Sequence, residues 1–197
     1  FTTMFNNSSG SGNYNNFLFN LNSSGLEYTS LIGEVKTPIT RDSYIKISIT
    51  RAYKKLYLHV NGVLAQQLDI PDGVMFWSTE DPVVLGVLNS GSKTDRYFKG
   101  KIRHFRVLKG IALYDAESYT DFKELDKPTT TVDKYDLYYE NVHALFPFES
   151  DLLDVKGNTW SVEGNPTISQ EKDILGNSSA KFIGTASSVY INQLLRN

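Results

Sequence analysis

The chain has 197 residues, 40% hydrophobic and 13% aromatic, which is enough apolar side chain for one large or two small packed domains and too much for wholesale disorder. Lys and Arg number 20 against 22 Asp and Glu, a net charge of −2 with no basic stripe, which speaks against nucleic acid as a partner. No cysteine is present, so disulfides, thiolate nucleophiles, iron–sulfur clusters and Cys-ligated zinc are excluded, and no apolar run approaches the roughly 18 residues that membrane insertion requires.

In chain order, Phe1 opens without an initiator Met and without a charged or apolar leader, and the sequence reads as a piece of a longer protein. Asn6–Asn16 is a loop rich in amides, Ser and Gly; strands are expected at Asn16–Asn22 and Leu26–Ile32, with polar residues Asn22–Gly25 between them. Tyr44–Thr50 places Ile45, Ile47 and Ile49 on one face of a strand, Arg51–Lys55 reads as a turn, and Leu56–Val60 alternates again. Asn61-Gly62 is the strongest hairpin signal in the chain, because a type I′ turn needs φ > 0 at both central residues; Val63–Ile70 is the returning strand. Further strands are expected at Val83–Leu88 and Lys101–Leu108, separated by the polar loop Asn89–Asp95. Ala112–Leu125 has no strand period and leaves room for a short helical turn. Lys127–Lys134, with Pro128 and three consecutive threonines, reads as a linker that extends to about residue 138. Beyond it, short strands are expected at Val142–Phe148, Thr159–Val162, Ala180–Ile183 and Ser188–Ile191. The pattern is all-β and antiparallel.

Several of these segments resemble a known family. Ile45–Arg51 resembles its strand that ends in a Thr-Arg corner, and Leu56–Leu64 its hairpin through Asn-Gly. Val84-Leu85-Gly86 resembles its Leu/Ile-Gly strand, and Phe98-Lys99-Gly100-Lys101-Ile102 the Phe-x-Gly-x-Ile that opens its last strand. Together they are similar to the laminin-G-like, or concanavalin A-like, jelly-roll sandwich, and Phe105–Tyr114 resembles a form found in tailed-bacteriophage structural proteins. Ala144–Ser150 followed by Leu153–Asn158 resembles the opening of another copy, and 165–169 and 180–184 fit its next two strands. The organisation so implied is a jelly roll over 1–126 without its opening strands, a linker over 127–138, and the start of a second unit over 139–197.

Chemistry is sparse. Glycosidases of this architecture need two carboxylates flanking the scissile bond, and no such spacing appears; the acidic cluster Asp115, Glu117, Asp121 and Glu124 reads as solvated surface. His59, His104 and His143 are scattered without metal-ligand spacing, and His59 alternates with apolar neighbours as an outward strand residue does. Calcium-containing relatives carry an acid just after the residue matching Ile102. Here it is Arg103, so the resemblance implies no calcium there; Asp154 and Asn158 remain weak metal candidates beside a plain turn role. Phe76 and Trp77 either roof the core or offer a flat face to a sugar ring, and Asn13, Asn89 and Asp95 are polar loop residues suited to hydrogen-bonding its hydroxyls. The expectation is a non-catalytic module without cofactor in a phage virion protein, in a tail fibre, spike or other appendage. Its partners would be other virion proteins or copies of itself, and host cell-surface carbohydrate. The alternatives are a purely structural assembly or capsid-decoration module, and a glycoside hydrolase of the same fold.

Overall fold

Alternation of apolar and polar residues becomes antiparallel ladders in the computed structural model, which describes residues 2–6, 16–24, 29–38, 45–71, 83–86, 97–113, 138–170, 178–183 and 187–191. The first sheet holds Thr2–Asn6 (β1), Asn16–Ser24 (β2) and Thr29–Pro38 (β3) in that order. β1 precedes the first strand expected from the pattern. β3 begins later than expected and runs on to Pro38, through Gly33, Glu34 and Lys36, because its ladder with β2 satisfies the backbone whatever the side chains are.

The second sheet is Ile47–Ala52 (β4), Lys55–Val60 (β5) and Val63–Asp69 (β6), with β5 in the centre. Its Asn61-Gly62 turn has φ of 50° and 84°, the left-handed pair that a type I′ hairpin requires. Asn61 also reaches sideways: its N–H donates to the Lys46 carbonyl, and its Oδ1 accepts the Lys46 N–H, both at 2.9 Å. The turn before β5 is tighter than the expected Arg51–Lys55. Ala52 already pairs with Lys55, leaving Tyr53-Lys54 as the connection.

Three further ladders join distant parts of the chain. Val83–Leu85 (β7) pairs with Ser188–Ile191 (β14), Lys99–Ile102 (β8) with Ser179–Ile183 (β13), and Phe105–Leu108 (β9) with Val142–Phe146 (β10). Ser161–Glu163 (β11) flanks β14, and Thr167–Ser169 (β12) flanks β13. The expected strand Lys101–Leu108 is thus two strands, broken at His104, whose φ of 51° turns the chain between them. Among the described residues the helical content is one 3-10 turn, Tyr139–Asn141, leading into β10.

The core follows these ladders. Leu85, Phe146, Phe148, Ala180, Phe182 and Val189 form a buried cluster, against which Phe98, Ile102, Phe105, Leu152, Trp160 and Ile168 pack. Phe146 is the centre: it stacks on Phe148 at 5.1 Å between ring centroids and meets Trp160 edge-on at 4.9 Å. Two family-like glycines gain a reason here. A Cβ on Gly100 would lie 2.6 Å from Phe98 Cζ, so the Phe-x-Gly spacing lets the ring cover the strand. Gly86, at φ 94°, would bring a Cβ to 2.5 Å from Phe182 Cε1 and 2.8 Å from the Ser187 carbonyl oxygen. Gly157, at φ 80°, has open space around the same position. Both Gly→Ala changes carry left-handed strain of about 1–2 kcal/mol, and only Gly86→Ala adds the collision with Phe182. Denaturant melts are therefore expected to show Gly86→Ala as the clearly more destabilised of the two.

Candidate functional site

Of the residues singled out for ligand contact, Phe76, Trp77, Asn13, Asn89 and Asp95 lie outside the described residues, as does the acidic cluster 115–124. The chain enters the segment carrying Phe76 and Trp77 at Pro71, directly after Ile70, whose N–H donates to the Lys54 carbonyl at 2.7 Å. That bond sets the end of β6 beside the tip of the β4–β5 hairpin.

The tip carries an aromatic side chain that the pattern reading passed over as part of a turn. Tyr53 is 92% exposed with φ 53°, a left-handed conformation that a bulky residue rarely adopts. Exposed Arg51 and Lys54 flank it, and Lys55 Nζ pairs with Asp69 Oδ1 across the ladder at 3.3 Å. A flat, amphipathic ring with cationic and carboxylate groups around it can stack on the C–H face of a sugar and hydrogen-bond its hydroxyls. The signal available in the sequence was a large aromatic at the apex of a two-residue connection, where Asn, Asp or Gly is usual.

His59 departs from its expected outward position: it is 1% exposed. Leu56, Tyr57, Leu58 and His59 are all buried, so side chains on both faces of β5 are covered, and β3 runs close to β5 and β6. The His59 ring stacks on Tyr57, two residues earlier on the same face, at 6.4 Å.

The metal candidates Asp154 and Asn158 meet directly. Asp154 is 8% exposed, and its carboxylate accepts four N–H groups. Oδ1 takes the backbone N–H of Leu145 at 3.0 Å and of Lys156 at 2.8 Å, while Oδ2 takes Asn158 Nδ2 at 2.7 Å and Trp160 Nε1 at 2.9 Å. Asn158 Nδ2 also donates to the His143 carbonyl at 2.6 Å. A carboxylate offers about four lone-pair sites, and all of them face N–H donors here. The group serves as the hub of the turn after β10: it bridges that strand to the loop and aims Trp160 at Phe146. Among the described residues, no three His, Cys, Asp or Glu side chains converge as a metal site would require.

Beside this turn, Lys156 Nζ sits 4.1 Å from the centre of the Tyr139 ring and donates to the Tyr139 carbonyl at 3.3 Å. His143 lies nearby with its pKa lowered, first by partial burial and then by the positive charges of Lys109 and Lys156.

A laminin-G-type family model, described as the concanavalin A-like lectin/glucanases superfamily, matches residues 3–117. The chain belongs to that family, and its all-β antiparallel architecture is that of the family's jelly-roll sandwich. No curated protein and no solved structure matches it.

Two outcomes test this geometry. Asp154→Asn keeps the shape but turns one acceptor oxygen into a donor facing N–H groups, so it should cost about 3 kcal/mol in denaturant melts. Asp151→Asn, at an exposed turn where Oδ1 accepts the Leu153 N–H, should cost about 1 kcal/mol or less. His143 has a folded pKa below its ordinary 6.5, so its neutral form favours the fold; that contribution is full above about pH 6.5 and is lost as pH falls through the lowered value. Thermal melts across this range should show wild type losing more stability on acidification than His143→Gln.

Proposed function

We propose that this protein is a non-catalytic carbohydrate-binding module of a bacteriophage virion protein, in a tail fibre, spike or other appendage, that adheres to host cell-surface glycan. The observation that carries the reading is membership of a family of lectins and glucanases. The exposed Tyr53 tip adds to it as a stacking surface of the kind sugars use. The phage assignment is supported by the resemblance of Phe105–Tyr114 to tailed-phage structural proteins. The non-catalytic reading is supported by how three of the described carboxylates are used: Asp154 holds a turn, Asp151 another, and Asp69 pairs with Lys55. Such commitments leave these groups unsuited to the acid and nucleophile roles of a glycosidase. Neither cofactor nor calcium enters this reading.

A glycan array probed with the intact chain tests it. Binding to at least one bacterial surface polysaccharide is expected, weakened roughly tenfold by Tyr53→Ala. Binding to none of a broad panel would transfer the reading to a purely structural assembly or decoration module. Release of reducing ends from a bound polysaccharide would make the protein a hydrolase.

A further inference from the structure

The two faces of the sheet β12–β13–β8 differ in character. One face puts Ile102, Ala180 and Phe182 into the core. Alternation sends their neighbours the other way: Lys99 and Lys101 on β8, Lys181 and Ile183 on β13, and Thr167 on β12. Lys99, Lys181, Ile183 and Thr167 are exposed and Lys101 is half-buried, while the far end of the same face is closed at the buried pair Ser169 and Ser179. The three strands together hold three lysines and no acid, in a chain whose net charge is −2. Lys101 stands directly opposite Lys181 in the ladder. Residues so opposed have Cβ atoms about 4.5–5.5 Å apart, and like charges there are destabilising. Lys99 lies two residues along, about 7 Å away on the same face. No basic run in the sequence announces this cluster, because Lys181 arrives from a distant strand.

Resting on the glycan-binding reading above, we propose that this lysine face is a second carbohydrate contact and that it selects acidic polysaccharide: Lys101 and Lys181 together hold one carboxylate, and Lys99 meets the next acidic group along the polymer. Each ammonium carries three donors and no acceptor. A carboxylate seated between the opposed pair accepts from both in charge-assisted bonds, and attraction replaces their mutual repulsion. Ile183, 46% exposed and opposite Lys99, offers apolar surface to ring C–H groups. The Thr167 hydroxyl, opposite Lys181, can donate to or accept from a sugar hydroxyl. The spacing is set before any ligand arrives, because Ala180 and Phe182 anchor the other side of β13 in the core. Nucleic acid fits less well: a duplex carries a negative charge about every 1.7 Å of its axis, and three cations on an acidic chain neutralise little of such a track.

The test is binding of the intact chain to polygalacturonate and alginate, with carboxyl-reduced forms of both and dextran as neutral probes. The acidic polymers should bind at low salt and their reduced forms roughly tenfold more weakly or worse. Binding should vanish in about 1 M NaCl, where the screening length is about 3 Å. Lys101→Gln with Lys181→Gln should weaken binding roughly tenfold or more, yet melt no lower than wild type, since the opposed charges are gone. Lys181→Glu should stay folded, paired with Lys101 across the ladder, and abolish binding. Equal binding of acidic and reduced polymers, or binding that both variants leave unchanged, would overturn the proposal. So would tighter binding to a single-stranded DNA oligonucleotide than to either acidic polymer, which would pass the face to nucleic acid. Binding to neutral glycans alone, lost in Tyr53→Ala and indifferent to the lysines, would overturn this face and keep the glycan-binding reading. Binding to no glycan, acidic or neutral, would overturn both.

Discussion

Backbone groups in a sheet must find partners, and in this protein that constraint ties residues 83–108 to residues 142–191. β7, β8 and β9 belong to the family-matched span, and their ladders run to β14, β13 and β10. Side chains that alternate inward from these ladders meet in a buried cluster, with Phe146 between Phe148, Phe105 and Trp160. The glycines at 86 and 100 are consequences of the same packing, since each gives up its Cβ position to an aromatic ring.

A buried carboxylate normally opposes folding unless its charge is met. Asp154 is met by four N–H groups, two from the backbone and two from side chains. Charge-assisted bonds of this kind are stronger than neutral ones, and here they act on three things at once: the edge of β10, the turn through Gly157, and the orientation of Trp160. The turn is thereby coupled to the core, although it lies at the surface of the sequence pattern. Next to the same turn, partial burial and then the positive charges of Lys109 and Lys156 lower the pKa of His143.

The opposite character marks the β4–β5 tip. There the hairpin holds Tyr53 in a left-handed conformation and in water, flanked by Arg51 and Lys54. Both features cost stability: a bulky residue at positive φ is strained, and an exposed ring forgoes burial. Strain and exposure thus meet in one side chain at the tip of the β4–β5 hairpin.

Much of the local structure was legible in the residues. Period-two alternation marked β4, β5 and β6, and Asn61-Gly62 set the pairing of Val60 with Val63 and His59 with Leu64, before a bulge shifts the rest of the β5–β6 ladder, because positive φ is a property of those two residue types before any tertiary contact. The family-like Gly86 and Phe98-x-Gly100 spacings were visible for the same reason: a missing Cβ is written in the sequence. Three things were decided only by the tertiary structure. His59 reads as outward in an isolated strand and is buried, because side chains on both faces of β5 are covered in the fold. Asp154 reads as a turn acid with a weak claim on a metal, and its four donors come from positions 145, 156, 158 and 160, which only the folded turn assembles. The partners of β7, β8 and β9 lie dozens of residues away. Alternation states which face a strand buries and carries no information on which strand lies beside it, so that choice waits for the shared core to form.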